Sequence, residues 1–160
     1  MLDDFNALPP DRADEALRAV CAAPTWTRAV EAGRPYPSAD ALQAAAGAAF
    51  DALTWDDIAQ ALAAHPRIGR RPAGESREAA WSRTEQSDVT GAQDELDAAN
   101  EAYEERFGHL FLIFASGKTA PEILAAARQR LGNDDVTERA VVRGELAKIV
   151  RLRLERLLDQ

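Results

Sequence analysis

Two short polar segments carry the residues that could do chemistry, His65-Pro-Arg-Ile-Gly69 and Ser82-Arg-Thr-Glu-Gln86. Histidine titrates near neutral pH, so the imidazole of the first segment can accept or donate a proton during a reaction. We expect it at the end of a helix, where the macrodipole favours the protonated ring. The serine, glutamate and glutamine of the second segment are at i, i+3 and i+4, which places them on one face of a helix. A hydroxyl, a carboxylate and an amide side by side can hydrogen-bond a small polar heterocycle.

The same segments also have a purely structural interpretation. Glu85 could pair with an exposed cation, and His65 could do no more than satisfy the end of a helix. Three arginines after the histidine either attract an anionic substrate or are solvated loop charges; they are Arg67, Arg70 and Arg71. The second histidine, His109, is expected to be a helix-end residue rather than a catalyst. Spacing alone leaves both interpretations open.

Motifs for metals and organic cofactors are missing from the sequence. With two histidines and one cysteine, Cys21, a zinc site of the usual ligands is not expected. The Gly117-Lys-Thr119 stretch resembles the end of a phosphate-binding loop, but Leu112 occupies the position of that motif's first glycine. The motifs of the sequence therefore do not demand a cofactor.

Length and charge set the broad class of protein. A chain of 160 residues is expected to form a single domain over 1–160. The net charge of −8 and the pI near 4.8 argue against binding to nucleic acids and to anionic membranes. The apolar runs are too short to span a bilayer, and the acidic N-terminal stretch does not resemble a signal peptide. We expect a soluble cytoplasmic protein.

Composition and periodicity indicate an all-α fold. The chain has 34 alanines and 16 leucines but only 7 valines and 5 isoleucines, a balance that favours helices over strands. We predict a single compact, bundle-like domain of about eight helices. Their expected ranges are about 11–21, 25–32, 39–53, 55–64, 76–87, 91–107, 120–131 and 135–158.

Local signals at the ends of these helices add detail. Ser38 is the expected N-cap of the third helix, and Thr90 that of the sixth. Gly33 is expected to end the second helix in a left-handed conformation. The apolar run 110–115 lies between two helices, and we expect it to be buried and extended.

Several motifs in a fixed order connect the sequence to a known family. The serine of the second polar segment comes seventeen residues after the histidine of the first. Further along are Asn100-x-x-Tyr-x-x-Arg-Phe-Gly-x-x-Phe111, Ala115-Ser-Gly-Lys118 and Glu122-Ile-Leu124. Matches outside these motifs are Trp26, Arg34-Pro-Tyr36, Lys148-Ile149 and Arg153-Leu154. Together they resemble the OHCU decarboxylase family, and the likeness covers nearly the whole chain.

The resemblance implies a reaction, an assembly and a set of site residues. The reaction is decarboxylation of 2-oxo-4-hydroxy-4-carboxy-5-ureidoimidazoline (OHCU) to (S)-allantoin in urate breakdown, by an all-α homodimer without metal or organic cofactor. His65 is the implied catalytic group for proton transfer, and Glu85 is expected to tune it. The implied substrate-binding residues are Pro66, Ser82, Arg83, Thr84, Glu85, Gln86, Phe111, Leu112, Ile113, Phe114, Ala115 and Arg153.

Two alternatives to this activity stay open at the level of sequence. One is a non-catalytic helical interaction module, in which both polar segments are structural. The other is a related cofactor-free enzyme acting on another ureido or hydantoin ring. His109 and Leu110 depart from the residues that many family members carry there, and they border the expected pocket wall.

Overall fold

The computed structural model describes residues 1–70 and 74–160 of the chain. These ranges contain nine α-helices and no β-strand, which confirms the predicted all-α class. The helices are α1 (Leu2–Ala7), α2 (Pro10–Val20), α3 (Pro24–Ala32), α4 (Ala39–Asp51), α5 (Trp55–Leu62), α6 (Arg77–Glu85), α7 (Gln93–Phe107), α8 (Ala120–Arg130) and α9 (Asp135–Leu158). Helices α2 to α9 correspond to the predicted ones within a few residues at each end. Across the described part of the chain, no helix is long and apolar enough to cross a membrane.

The chain folds as two units. One consists of residues 1–61 with 147–160, and the other of residues 62–146. Both polar segments and the apolar run belong to the second unit, whereas Arg153 belongs to the first. The expectation of one domain over 1–160 stays a prediction.

Helix α1 is not among the predicted helices, because its six residues bury a single side chain, Phe5. A residue far along the chain holds its C-terminal end instead. The guanidinium of Arg34 donates to the carbonyl oxygens of Phe5, Asn6 and Leu8 at 2.8, 3.2 and 2.8 Å. These bonds cap the helix end, where the Phe5 carbonyl also accepts the N–H of Leu8 at 3.2 Å and the last carbonyls lack the partners that a further turn would supply. A contact of this kind leaves no periodic pattern in the sequence.

Helix α7 begins later than expected. Its N-cap is Ala92, so the prediction that Thr90 caps this helix is wrong. The chain first turns through Gly91 and Ala92, which have φ values of 72° and 54°. Alanine rarely adopts this left-handed region. Because Gly91 and Ala92 both adopt it, the helix begins after them rather than directly after Thr90.

Gly33 ends α3 as expected but for a different reason. Its φ is −81°, so the predicted left-handed conformation is wrong. The residue instead allows the side chain of Tyr36 to approach closely. A Cβ at this position would lie 2.8 Å from Cζ of Tyr36 and nearer still to the hydroxyl oxygen. That hydroxyl donates to the carbonyl of Val30 at 2.7 Å.

This packing predicts opposite effects for two glycine substitutions. Gly33→Ala should lower the free energy of unfolding by about 1–3 kcal/mol, because the new methyl group displaces the buried ring of Tyr36. Gly47→Ala is the matched control, since Gly47 is an exposed residue of α4 and a Cβ there meets nothing within 4 Å. It should raise the free energy of unfolding by about 1 kcal/mol through helix propensity. Urea unfolding of both variants checks the two signs, and equal shifts would contradict the explanation.

The apolar run 111–115 is buried except for half-buried Phe114, and it has no regular secondary structure. A group of polar side chains, here called the Glu138 network, lies beside it. Glu138 accepts from Tyr103 Oη at 2.7 Å, from Arg130 Nε at 2.7 Å and from Asn133 Nδ2 at 3.0 Å. The same arginine donates from Nη1 to the carbonyl of Leu112 at 2.7 Å. The network thus ties the run to helices α7, α8 and α9.

Candidate active site

Three of the predicted site residues line one cleft of the unit 62–146. The cleft has a volume of about 340 Å³. Its lining residues are Ala64, His65, Pro66, Ser76, Glu78, Ala79 and Ser82. The structure therefore brings together the histidine, the proline that follows it and the serine seventeen residues later. Sequence reasoning missed two polar residues of the lining, Ser76 and Glu78, which carry no motif of their own.

The histidine reaches the cleft from a turn at the end of α5. The helix ends at Leu62, whose carbonyl accepts the backbone N–H of His65 at 2.9 Å. Pro66 disfavours helical geometry at the residue before it, so the chain cannot continue the helix here. His65 is half-buried in this turn. The residue therefore lines the cleft and is partly exposed to solvent.

The other wall of the cleft is the first turn of α6. Ser76 caps this helix, and its Oγ accepts from the N–H of Ala79 at 3.1 Å. The N-terminal end of a helix favours negative charge, because its backbone N–H groups and macrodipole point outward there. The carboxylate of Glu78 also borders the cleft, but its side chain is exposed to solvent.

Residues 82–86 divide between two faces of α6 and its C-cap. Ser82, Glu85 and Gln86 are buried, as their spacing predicts. Thr84 is exposed and donates from Oγ1 to the carbonyl of Ala80 at 3.1 Å. Arg83 is partly exposed, and its Nη1 donates to the carbonyl of Gly74 at 3.0 Å. Substrate contacts for the two residues on the outer face stay predictions.

Glu85 is buried but is not among the residues that line the cleft. The expectation that its carboxylate faces the imidazole of His65 stays a prediction. Gln86 has a defined partner, since its Oε1 accepts the backbone N–H of Gly69 at 2.9 Å. This bond assigns the acceptor end of the amide and leaves its Nε2 as the donor end.

The arginines after the histidine are paired with carboxylates of α7. Arg67 donates from Nε and Nη2 to the two carboxylate oxygens of Glu104, at 2.9 and 2.5 Å. Hydrogen bonds and charge from Glu104 raise the pKa of this guanidinium. Arg70 makes a similar contact with Asp97 at 3.3 and 3.1 Å. These pairs favour a structural role over attraction of an anionic substrate. Arg71, the third arginine considered, lies outside the described residues.

Two backbone carbonyls of the run 111–115, where substrate contacts are predicted, already accept hydrogen bonds from other residues. The Leu112 oxygen accepts from Arg130, whereas the N–H of Lys118 donates to the Ala115 carbonyl at 2.9 Å. The aromatic ring of Phe111 packs edge-on against Tyr103, with ring centroids 5.1 Å apart. These contacts fix the position of the run, whose residues are mostly apolar. Its contacts with substrate stay predictions.

Arg153 is a buried residue of α9 in the unit 1–61 with 147–160. Its Nη1 donates to the carbonyl of Ala19 at 3.1 Å. Burial raises the pKa of the Cys21 thiol to about 11. The positive charge of Arg153 opposes this effect and lowers that pKa. These contacts give Arg153 a packing role within its own unit, and its role toward substrate stays a prediction. Among the described residues, no three His, Cys, Asp or Glu side chains gather as a metal-binding group.

Comparison with known proteins connects this arrangement to one family. The family model described as OHCU decarboxylase matches residues 6–155. The chain belongs to the OHCU decarboxylase family. It is 31% identical over 142 residues to the 2-oxo-4-hydroxy-4-carboxy-5-ureidoimidazoline decarboxylase of Amia calva, covering 85% of this chain and 81% of that protein.

Two further proteins extend the comparison. The chain is 30% identical over 153 residues to the uric acid degradation bifunctional protein TTL of Arabidopsis thaliana. That match covers 91% of this chain but 47% of the longer protein, so the chain spans about half of its length. A crystal structure of OHCU decarboxylase in the presence of (S)-allantoin matches with a TM-score of 0.79 and 27% identity, covering 92% of this chain and 99% of that one.

Proposed function

We propose that this chain decarboxylates OHCU to (S)-allantoin in urate breakdown, at the cleft lined by His65 and Ser82. One observation carries the assignment to this place in the molecule. Residues 65, 66 and 82, which carry the catalytic and binding roles implied by the family, share one cleft. Its volume of about 340 Å³ is within the range that suits a small ring compound.

The reaction needs a proton donor beside a bound anion. The bond between the ring carbon and the carboxylate breaks, carbon dioxide leaves, and the electron pair delocalises into the ring through the adjacent double bond. A proton then adds to one face of the ring, and that face decides which enantiomer forms. Each hydrogen-bond donor aimed at the developing charge can stabilise the transition state by about 3 kcal/mol in favourable cases.

His65 makes the proton transfers in this proposal. Its half-buried ring at the cleft can exchange protons with water before the substrate enters and then deliver one to a single face. The first turn of α6 borders the same cleft and favours the substrate carboxylate. The hydroxyl of Ser82, buried on that helix, orients the ring from the side.

The remaining contacts complete the substrate site. Glu85 holds a hydroxyl or ureido N–H of the substrate and tunes the imidazole, while Gln86 helps to orient the ring. An apolar wall around the leaving group favours release of neutral carbon dioxide. The further contacts in the proposal are Pro66, Arg83, Thr84, Phe111, Leu112, Ile113, Phe114, Ala115 and Arg153.

A spectroscopic assay tests the proposed activity. Freshly prepared OHCU decays by itself to racemic allantoin, so protein should accelerate the loss of its absorbance and produce a circular dichroism signal of the (S) product. The control is the same protein after heat denaturation.

The outcome also separates the two alternatives. Unchanged decay with native protein contradicts the proposal and favours the non-catalytic module. Unchanged decay of OHCU together with turnover of another ureido or hydantoin ring favours the related enzyme. Accelerated decay with a racemic product contradicts the proposed stereospecific proton delivery.

The assembly and compartment belong to the same proposal. The family resemblance supports a homodimer, and the composition and charge of the chain support a cytoplasmic location. Equilibrium sedimentation distinguishes a dimer from a monomer, and a monomeric mass at micromolar protein would contradict the assembly.

A further inference from the structure

One peptide bond of the loop after His65 is held through both of its polar groups. The Ile68 carbonyl accepts from Asn100 Nδ2 at 2.9 Å, and the Gly69 N–H donates to Gln86 Oε1 at 2.9 Å. The carbonyl and the N–H of a trans peptide bond point in opposite directions. The two carboxamides therefore hold this peptide bond from opposite sides, which fixes the orientation of its plane.

Asn100 makes its contact from a fully buried position in the middle of α7. Its Oδ1 has no hydrogen-bond partner among the described residues. A buried acceptor without a partner costs free energy, and an apolar side chain of similar size would avoid that cost. The amide offsets this cost through the hydrogen bond that its N–H donates to the Ile68 carbonyl.

The same side of α7 contacts the loop at several points. Gly69 has φ +85°, and a Cβ there would lie 3.0 Å from Cδ1 of Leu96. The carboxylates on either side of Asn100 pair with the arginines that flank the held peptide bond. These contacts are Asp97 with Arg70 and Glu104 with Arg67. Helix α7 thus supports the described part of the loop at residues 67–70.

We propose that Asn100 is a positioning residue for His65. It fixes the Ile68–Gly69 peptide bond together with Gln86 and thereby sets where the imidazole stands in the cleft. The link between the two is short and stiff, because Pro66 restricts its own φ and the conformation of the histidine before it. The inference rests on the proposed function, since it takes His65 as the group that transfers the proton.

Asn100→Ala tests the role against a control in the same helix. The variant frees the Ile68 carbonyl, so we expect kcat to fall by about 10- to 100-fold, as displacement of a reacting group does, with KM changed less than about threefold. Ala102→Gly is the control, because Ala102 is an exposed interior residue of α7 and glycine there weakens the helix. It should leave both constants within about twofold of the wild type. Equal loss of kcat in the two variants would show a merely structural role and overturn the proposal.

Asn100→Asp provides a second test, with a pH readout. An ionised carboxylate cannot donate to Ile68, whereas the protonated acid can, and burial favours the protonated form. The charged side chains beside it on α7, Asp97 and Glu104, are acidic and paired with arginines. We expect the ratio of its kcat to that of the wild type to rise about tenfold from about pH 8 to about pH 6. The ratio for Asn100→Ala should stay flat, and a flat ratio for both variants would overturn the role of the donated bond.

Hydrogen exchange at the Gly69 amide separates failure of this proposal from failure of the proposed function. Loss of the Asn100 contact should loosen the peptide bond and accelerate exchange at Gly69 by about tenfold or more relative to Ala102→Gly. Unchanged exchange in Asn100→Ala overturns the proposal even if the wild-type protein decarboxylates OHCU. A wild-type protein that leaves OHCU decay unchanged overturns the proposed function, and with it the positioning role.

Discussion

His65→Asn should lower kcat/KM for OHCU by about 10²- to 10⁴-fold, the range expected when a general acid or base is removed. Asparagine keeps a polar side chain of similar reach but cannot exchange a proton near neutral pH. The histidine is half-buried in a turn after α5, so its replacement should leave the fold intact. The product formed with the variant should be close to racemic, because spontaneous protonation then competes on both faces. Absorbance decay and circular dichroism of the product measure the two effects together.

His109→Asn is the matched control, because it makes the same chemical change at the only other histidine. His109 follows the end of α7, where its ring packs edge-on against Tyr103 at 5.5 Å between centroids. Its Nδ1 is 3.1 Å from the carbonyl oxygen of Leu110. Kinetic constants close to those of the wild type are expected. Near-normal, stereospecific turnover by His65→Asn would refute its proton-transfer role, whatever the control shows.

The parts of the fold that could be predicted are those with local causes. Ser38 caps α4 by accepting from the N–H of Ala41, as the sequence predicts. The capping box of Thr119 and Glu122 at the start of α8 has an equally local cause, since the two residues are three positions apart and the Thr119 hydroxyl donates to Glu122 Oε1 at 3.0 Å. Helix α1 and the start of α7 could not be predicted in this way. The first depends on a guanidinium 26 or more residues away, and the second on left-handed backbone at Ala92.

In the candidate site, too, features with local causes could be predicted and contacts between distant residues could not. Residue chemistry and the family motifs single out the histidine and the serine, and both line the cleft. The support of the loop was not predictable from spacing, because its hydrogen bonds join residues 17 and 32 positions apart. Asn100 begins the motif that ends at Phe111, but its type and spacing indicate no role for it. Its fully buried amide acquires one only when α7 is placed beside the loop.

The Glu138 network is the other element that sequence periodicity does not reveal. Glu138 is at 0% exposure and Arg130 at 6%, so their opposite charges are both removed from water. Burial, together with the hydrogen bond to Glu138, raises the pKa of the Tyr103 phenol. The phenol therefore stays protonated and continues to donate. Each member of the network satisfies another, which makes removal of one member costly.

Arg130→Met should lower the free energy of unfolding by about 3–5 kcal/mol, because it leaves the Glu138 carboxylate buried without its counter-charge. Glu138→Gln should cause a loss of similar size by leaving the guanidinium unpaired.

The double variant Arg130→Met with Glu138→Leu removes both charges and should be more stable than either single variant, since no buried charge is then left alone. Urea unfolding at one fixed protein concentration compares the three, with Arg128→Met as the control for loss of an exposed arginine from the same helix. A double variant that is less stable than either single variant would contradict the ion-pair explanation. Of the single changes, only Arg130→Met also frees the Leu112 carbonyl, so its folded fraction should show weaker binding of OHCU than that of Glu138→Gln.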